Sequence, residues 1–237
     1  DYKLRINPRT DSATVGVSRE FTFSVSSGVI SSFVATDTTT AITASSGIYS
    51  LVLGRPQLAG RVVGSDGVTP LSNMRIYYGT PGVSENAGPM TNVSGNFVFN
   101  LDTKLSNGVI SVWALDSLNK KVPTSGISTG TSIESITITN GYGPTNILLT
   151  AKVPNLVGTV SAPGGVAKMN YLRLLTLQSG KWIYNGRTMR TGNTGQFGVY
   201  LPVGSYRIQA YSDNSVGGLE TLGPICAVSS DTPTVCN

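Results

Sequence analysis

Four short landmarks recur in the same order along this chain, and a repeat of that kind constrains the fold more than any single motif. Pro56-Gln57-Leu58-Ala59-Gly60-Arg61-Val62 returns as Pro154-Asn155-Leu156-Val157-Gly158-Thr159-Val160, the leucines 98 positions apart (58 to 156). Sixteen residues after each leucine stands Met74-Arg75-Ile76 or Leu172-Arg173-Leu174, and Leu4-Arg5-Ile6 stands at the start. The third landmark reads Arg19-Glu20-Phe21-Thr22-Phe23, then Gly95-Asn96-Phe97-Val98-Phe99, then Gly195-Gln196-Phe197-Gly198-Val199. The fourth is a glycine opening a strand, at Gly28, Gly108 and Gly204, which runs on to Ala35, Ala114 and Ala210.

Between the landmarks the apolar residues alternate with period two, as in Phe21 to Val25, Phe97 to Leu101 and Tyr206 to Ala210. Helical periodicity is absent, and Gly, Asn, Asp, Ser and Pro break the runs at short intervals. That pattern predicts an all-β sandwich or barrel. Each Phe-x-Phe pair points both rings to one face, which must be core. Asp66-Gly67 ahead of Pro70-Leu71 predicts a tight turn, because glycine accepts positive φ and aspartate bonds its own backbone. The glycine of Leu-x-Gly-x-Val predicts a close backbone approach at a strand bend.

The repeat divides the chain into a module at 1–55 that lacks its opening strand, one at 56–153 and one at 154–237. Gly54-Arg55-Pro56-Gln57 and Lys152-Val153-Pro154-Asn155 leave roughly two residues of linker, stiffened by proline. Short stiff joints predict a rod-like array.

These residues resemble the carboxypeptidase regulatory-like module, a transthyretin-like (prealbumin-like) seven-stranded Greek-key sandwich. The closest match runs through Gly195-Gln196-Phe197 and Leu201-Pro202-Val203-Gly204-Ser205-Tyr206-Arg207-Ile208-Gln209-Ala210; Gly60-Arg61-Val62, Asp66-Gly67 and Pro70-Leu71 match the opening of the motif. Asp102 to Asn107 lengthen one hairpin and replace Leu-Pro-x-Gly there. The resemblance implies tandem Greek-key sandwiches of non-catalytic type, serving as spacers, stalks or filament parts. It extends distantly to CnaB-type surface-protein modules, which cross-link Lys to Asn beside a buried carboxylate. Here no lysine occupies the opening strand of the second or third module, and Glu20, Glu85, Glu134 and Glu220 take no common place, so no such bond is expected.

Composition narrows the function. Hydrophobic residues make up 39% of the 237, enough to fill cores, while only 12% are charged, as suits an extracellular β-protein wetted by Ser, Thr and Asn. The absence of histidine removes Ser/His/Asp and Cys/His catalysis and imidazole zinc sites. Neither a Walker loop nor an Asp-x-Asp-x-Asp calcium loop is present. The basic residues behind the net charge of +5 are scattered, with Lys120-Lys121 and the Arg187/Arg190 pair as the densest groups, which predicts no nucleic-acid binding. No run of about eighteen apolar residues predicts a membrane span. With no initiator methionine or signal segment, the chain reads as a mature product or an excerpt of a longer one.

Cys226 and Cys236, ten residues apart, are within reach of each other through a hairpin, as a disulfide of an oxidising compartment; the alternative is two buried thiols. The expected function is a non-catalytic structural segment of a secreted or cell-surface protein: a stalk, an adhesin or a filament subunit completed by a neighbour's β-strand. Its expected partners are neighbouring copies or modules of the same protein, with no cofactor. The alternative is a carbohydrate-binding module whose aromatic and polar set is Trp182, Tyr184, Asn185 and Arg187, with Tyr77 and Tyr78 elsewhere, acting on surface glycans.

Overall fold

A computed structural model describes residues 1–8, 16–38, 41–101, 103–116, 128–161, 171–211 and 221–236. Lys120-Lys121 and Glu220, singled out above, lie outside the described residues. Eighteen strands and no helix make up the regular structure of the described residues, so the all-β class expected from the alternation is the class observed.

At the N-terminus β1 (Tyr2–Ile6), β2 (Arg19–Ser26) and β3 (Val29–Ala35) form an antiparallel sheet in that order. Ser27 and Gly28 both take positive φ (50° and 77°) between β2 and β3, the backbone of a two-residue hairpin turn. Four rings step across this sheet: Tyr2 on Phe23, Phe23 on Phe33 and Phe33 on Tyr49, at centroid distances of 5.4, 5.2 and 5.0 Å. Phe21, Phe33 and Ala35 are its buried core. The landmark correspondence does not extend to pairing here. β2 and β3 pair with each other, whereas the strands carrying the same landmarks further on do not.

Those strands belong to two sets with one pairing scheme. In the first, β4 (Leu58–Val63) lies between β7 (Asn96–Phe99), antiparallel, and β11 (Ile147–Lys152), parallel. Beside it runs a second layer of β6 (Ser84–Met90), β5 (Met74–Thr80), β8 (Gly108–Asp116) and β10 (Glu134–Ile138). The short β9 (Gly130–Thr131) ties β8 to the end of β11. In the second set β12 (Leu156–Thr159) lies between β15 (Gln196–Val199), antiparallel, and β18 (Thr234–Cys236), parallel. Its second layer is β14 (Lys181–Arg190), β13 (Tyr171–Gln178), β16 (Gly204–Tyr211) and β17 (Thr221–Val228), in that order. Each set closes on one apolar cluster fed by both layers: Leu58, Phe97, Ile76 and Val112 in the first, Leu156, Phe197, Leu174 and Ile208 in the second.

The repeated landmarks now have physical reasons. Gly60 faces Phe97 and Gly158 faces Phe197, and in both cases the ring lies over the glycine. A Cβ at Gly60 would stand 2.2 Å from the Ile147 carbonyl oxygen and 2.6 Å from Phe97 Cζ. At Gly158 it would stand 2.5 Å from Phe197 Cζ and 2.6 Å from the Cys236 carbonyl oxygen. The glycine therefore makes room for a ring and a parallel neighbour, in the middle of a paired strand rather than at a bend. In Leu-Pro-x-Gly-x-Tyr the Tyr206 hydroxyl donates to the Pro202 carbonyl at 2.8 Å, pinning the turn to the strand that follows it. The Asp66 turn forms as expected, with Asp66 Oδ1 accepting from the Val68 and Thr69 amides at 3.0 and 2.9 Å and Gly67 at φ 73°.

Candidate functional site: a buried contact between two sandwiches

A buried charged group among the described residues begins with an irregularity in β14. Between Arg173 and Leu175 of β13 the partner strand advances four residues, from Thr188 to Tyr184. The excess is taken up at Asn185-Gly186, where Gly186 adopts φ 85° and Asn185 Oδ1 accepts the Arg187 amide at 3.0 Å. A bulge of this type re-aims the side chain beside it.

Arg187 is thereby delivered out of its own sandwich and onto the preceding one. Its guanidinium carbon lies 4.7 Å from the Tyr77 ring centroid and 5.8 Å from that of Trp113. These two rings are a cross-strand pair of β5 and β8, stacked at 6.0 Å. Arg187 Nη2 reaches Glu85 Oε2 of β6 at 2.9 Å, and the two side chains are each only 4% exposed. Glu85 is steadied from its other oxygen, where Oε1 accepts the Gly82 amide at 3.1 Å. The pairing is electrostatic rather than a forked hydrogen bond: Arg187 Nε and Nη1, Trp113 Nε1 and Asn185 Nδ2 have no hydrogen-bond partner among the described residues. A buried charge pair with unmet donors contributes little net stability, but losing one partner is costly. Burial raises the Tyr77 hydroxyl above its usual pKa, and burial with the nearby Glu85 carboxylate does the same for Tyr206.

Other contacts extend this joint. Gln178 Nε2 donates to the Val83 carbonyl at 3.0 Å, and the Ser128 amide to the Gly198 carbonyl at 2.6 Å. Lys152 pairs with Asp231 at 2.5 Å, and the Tyr200 hydroxyl donates to the other Asp231 oxygen at 2.8 Å. Those two bonds hold the Asp231 carboxyl below its ordinary range, Lys152 being the larger cause. Trp113, Leu115 and Tyr200 are buried. The Arg187–Glu85 pair is sealed from water and links β14 of one sandwich to β6 of the other.

The aromatic residues expected to face a ligand take three places in the structure. Tyr77 and Arg187 meet in the joint. Tyr78 packs on the core of its own sandwich, edge-on to Phe99 at 5.2 Å. Trp182 and Tyr184 lie on the outer face of the last sheet, opposite Leu177 and Leu175. Cys226 and Cys236 are joined as a disulfide with Cα atoms 5.8 Å apart, and they are not hairpin partners. β17 sits in one layer and β18 pairs with β12 in the other, so the bond crosses the sandwich.

Several residues of the joint carried no signal in the sequence: Glu85, Trp113, Tyr200 and Asp231 gain their roles only through non-local contacts. The Asn185-Gly186 dipeptide inside a strand was the one local sign of a bulge. Gln57 and Asn155, matched positions of the first repeated landmark, are buried amides that open the two sandwiches. Gln57 bonds the Leu101 amide and the Leu101 and Thr103 carbonyls, and Asn155 bonds the Leu201 amide and the Leu201 and Ser230 carbonyls. Among the described residues no three His, Cys, Asp or Glu side chains gather as a metal site, and no helix is long and apolar enough to cross a membrane.

No protein-family model matches the chain, and no curated protein matches it. Solved structures do match, at low similarity. The shaft pilin SpaA from Lactobacillus rhamnosus GG is 9% identical over 77% of this chain and 98% of its own, with a TM-score of 0.28. The Bacillus anthracis TIE protein is 14% identical over 92% of this chain, which spans 41% of that protein, with a TM-score of 0.27. Superposition at that level carries neither family nor function, so the classification of this chain rests on its own strand pairing: all-β, with one seven-strand sandwich scheme used twice.

Proposed function

We propose that this chain is a non-catalytic structural segment of a secreted or cell-surface protein, a stalk, adhesin or filament part whose successive sandwiches are held at fixed orientation. In this reading the chain divides into units at 1–55, 56–153 and 154–237. The observation that carries it is the Arg187–Glu85 contact, a charge pair drawn from two sandwiches and buried between them on the faces of Tyr77 and Trp113. Domains that move relative to one another meet through wet, polar interfaces. A charge pair sealed with aromatic rings at 4% exposure belongs to an interface that does not open in normal use. The crossing disulfide suits an oxidising, extracellular setting.

Small-angle scattering tests this on the whole chain. The expected particle is elongated, with one maximum dimension at all salt concentrations, and Arg187→Ala broadens the distance distribution. A compact particle, or a flexible wild type indistinguishable from Arg187→Ala, would sink the reading.

A further inference from the structure

The outer face of the β14-β13-β16-β17 sheet collects charge that the sequence scatters. These four strands contain Arg173, Lys181, Arg187, Arg190 and Arg207 and not one aspartate or glutamate. The bulge removes Arg187 to the joint. Leu172, Leu174, Tyr206 and Ile208 point into the core, so alternation turns Arg173, Leu175 and Arg207 outward. Register then sets Tyr184, Leu175, Arg207 and Ile225 in one cross-strand row and Thr188, Arg173, Gln209 and Leu222 in the next.

Each of three arginines on this face rests on a ring: Arg190 on Tyr171 at 4.1 Å, Arg173 on Tyr184 at 5.9 Å and Arg207 on Trp182 at 6.0 Å. Arg207 Nε is further fixed by the Gly223 carbonyl at 2.9 Å, and Arg190 bonds the Tyr171 hydroxyl. The face is open, with Tyr184 43% and Ile225 60% exposed.

We propose that this face binds an acidic polysaccharide. A guanidinium restrained beside a ring face keeps its planar fork pre-organised for a carboxylate or sulfate. The exposed parts of Trp182 and Tyr184 offer apolar surface to sugar rings beside it. Charge spacing selects the class of polymer. Arg190, Arg173 and Arg207 stand on three adjacent strands as diagonal neighbours at roughly 7–8 Å, whereas duplex DNA carries one charge per about 1.7 Å of its axis. So sparse a set of cations matches a chain with an acid group on alternate or successive sugars, not a phosphate backbone. The inference is independent of the stalk reading, since it concerns a face that takes no part in the joint.

The whole chain is titrated with polygalacturonate, dextran sulfate, neutral dextran and a single-stranded oligonucleotide. Both acidic polysaccharides are expected to bind at low salt and to weaken as salt rises. Arg190→Gln/Arg207→Gln and, separately, Trp182→Ala are expected to weaken binding about tenfold or more. Lys104→Gln, which removes a charge elsewhere, leaves it unchanged, and the thermal midpoint of each variant reports its folding. The proposal is overturned if neither acidic polymer binds, if the oligonucleotide or neutral dextran binds as tightly, or if Lys104→Gln costs as much as the face variants.

Discussion

Arg187 of β14 and Glu85 of β6 stand in different sandwiches, yet their charged atoms lie 2.9 Å apart with both side chains excluded from water. The relationship is directional. Glu85 is held by its own hairpin through the Gly82 amide, while Arg187 crosses over, carried by a bulge and received by two rings. The joint therefore has a fixed socket and an inserted arm.

Removing the arm leaves a carboxylate buried without its partner. Arg187→Ala is expected to cost about 3–5 kcal/mol in urea unfolding. Arg187→Lys keeps the charge but loses the planar stacking on Tyr77 and Trp113, so it rescues only part of that loss. Replacing both partners, Arg187→Met with Glu85→Leu, is expected to restore most of the stability. If the double variant is no better than Arg187→Ala, the ion pair is not what the joint depends on.

The Cys226–Cys236 bond ties β17 in one layer to β18 in the other. Its reduction, or Cys236→Ala with Cys226→Ala, is expected to lower stability by about 2–4 kcal/mol. The loss is confined to the C-terminal sandwich, so amide exchange should quicken in β12 and β18 before it does in β4 and β11. Uniform quickening along the chain would contradict this.

Glycines of two kinds should separate cleanly. Gly60→Ala and Gly158→Ala drive a methyl into a ring and a carbonyl, and each is expected to cost about 3 kcal/mol or more. Gly28→Ala meets nothing within 4 Å and suffers only its positive φ, for about 1–2 kcal/mol. Chemical denaturation of the three variants side by side checks the order.

Two aspartates give opposite pH signatures. Burial raises the Asp116 carboxyl, against partly offsetting bonds from the Thr129 backbone and the Ser128 hydroxyl. The folded state then holds that proton more tightly than the unfolded chain, so stability falls as pH rises above the unfolded value of about 3.9. Asp116→Asn is expected to stabilise the protein at pH 7 and to give no gain at pH 3. Asp66, held down to about 2 chiefly by the Thr69 hydroxyl and then by the Val68 and Thr69 amides, behaves in reverse. Its contribution is present above the unfolded value and lost as pH falls toward 2, so Asp66→Ala should matter at pH 7 and not at pH 2. Thermal midpoints across that range check both signs.

The residues show why part of this was legible beforehand. Phe97 and Phe99 read as core from their spacing, and both are buried there. Asp66-Gly67 read as a turn because its chemistry is complete within four residues. Gly60 and Gly158 were visible as a repeated feature but not for their reason, since the ring above each comes from a strand almost forty residues away. β2 and β3 carry the third and fourth landmarks and pair with each other, whereas β7 and β8, and β15 and β16, carry the same landmarks and do not. A glycine and a Phe-x-Phe pair mark a strand, but they do not choose its neighbour.

Arg187 marks the same boundary. Strand period, turn chemistry and the 98-residue repeat are properties of neighbours in the chain, and the sequence alone determined them: an all-β protein built from recurring strand units, with no histidine chemistry. Which sheet each strand joins, and where Arg187 goes once Asn185-Gly186 releases it from alternation, was decided only by tertiary structure. The physical reason is that Tyr77, Glu85 and Trp113, which hold the guanidinium, stand on strands of the other sandwich, and no rule of neighbours along the chain brings them to it.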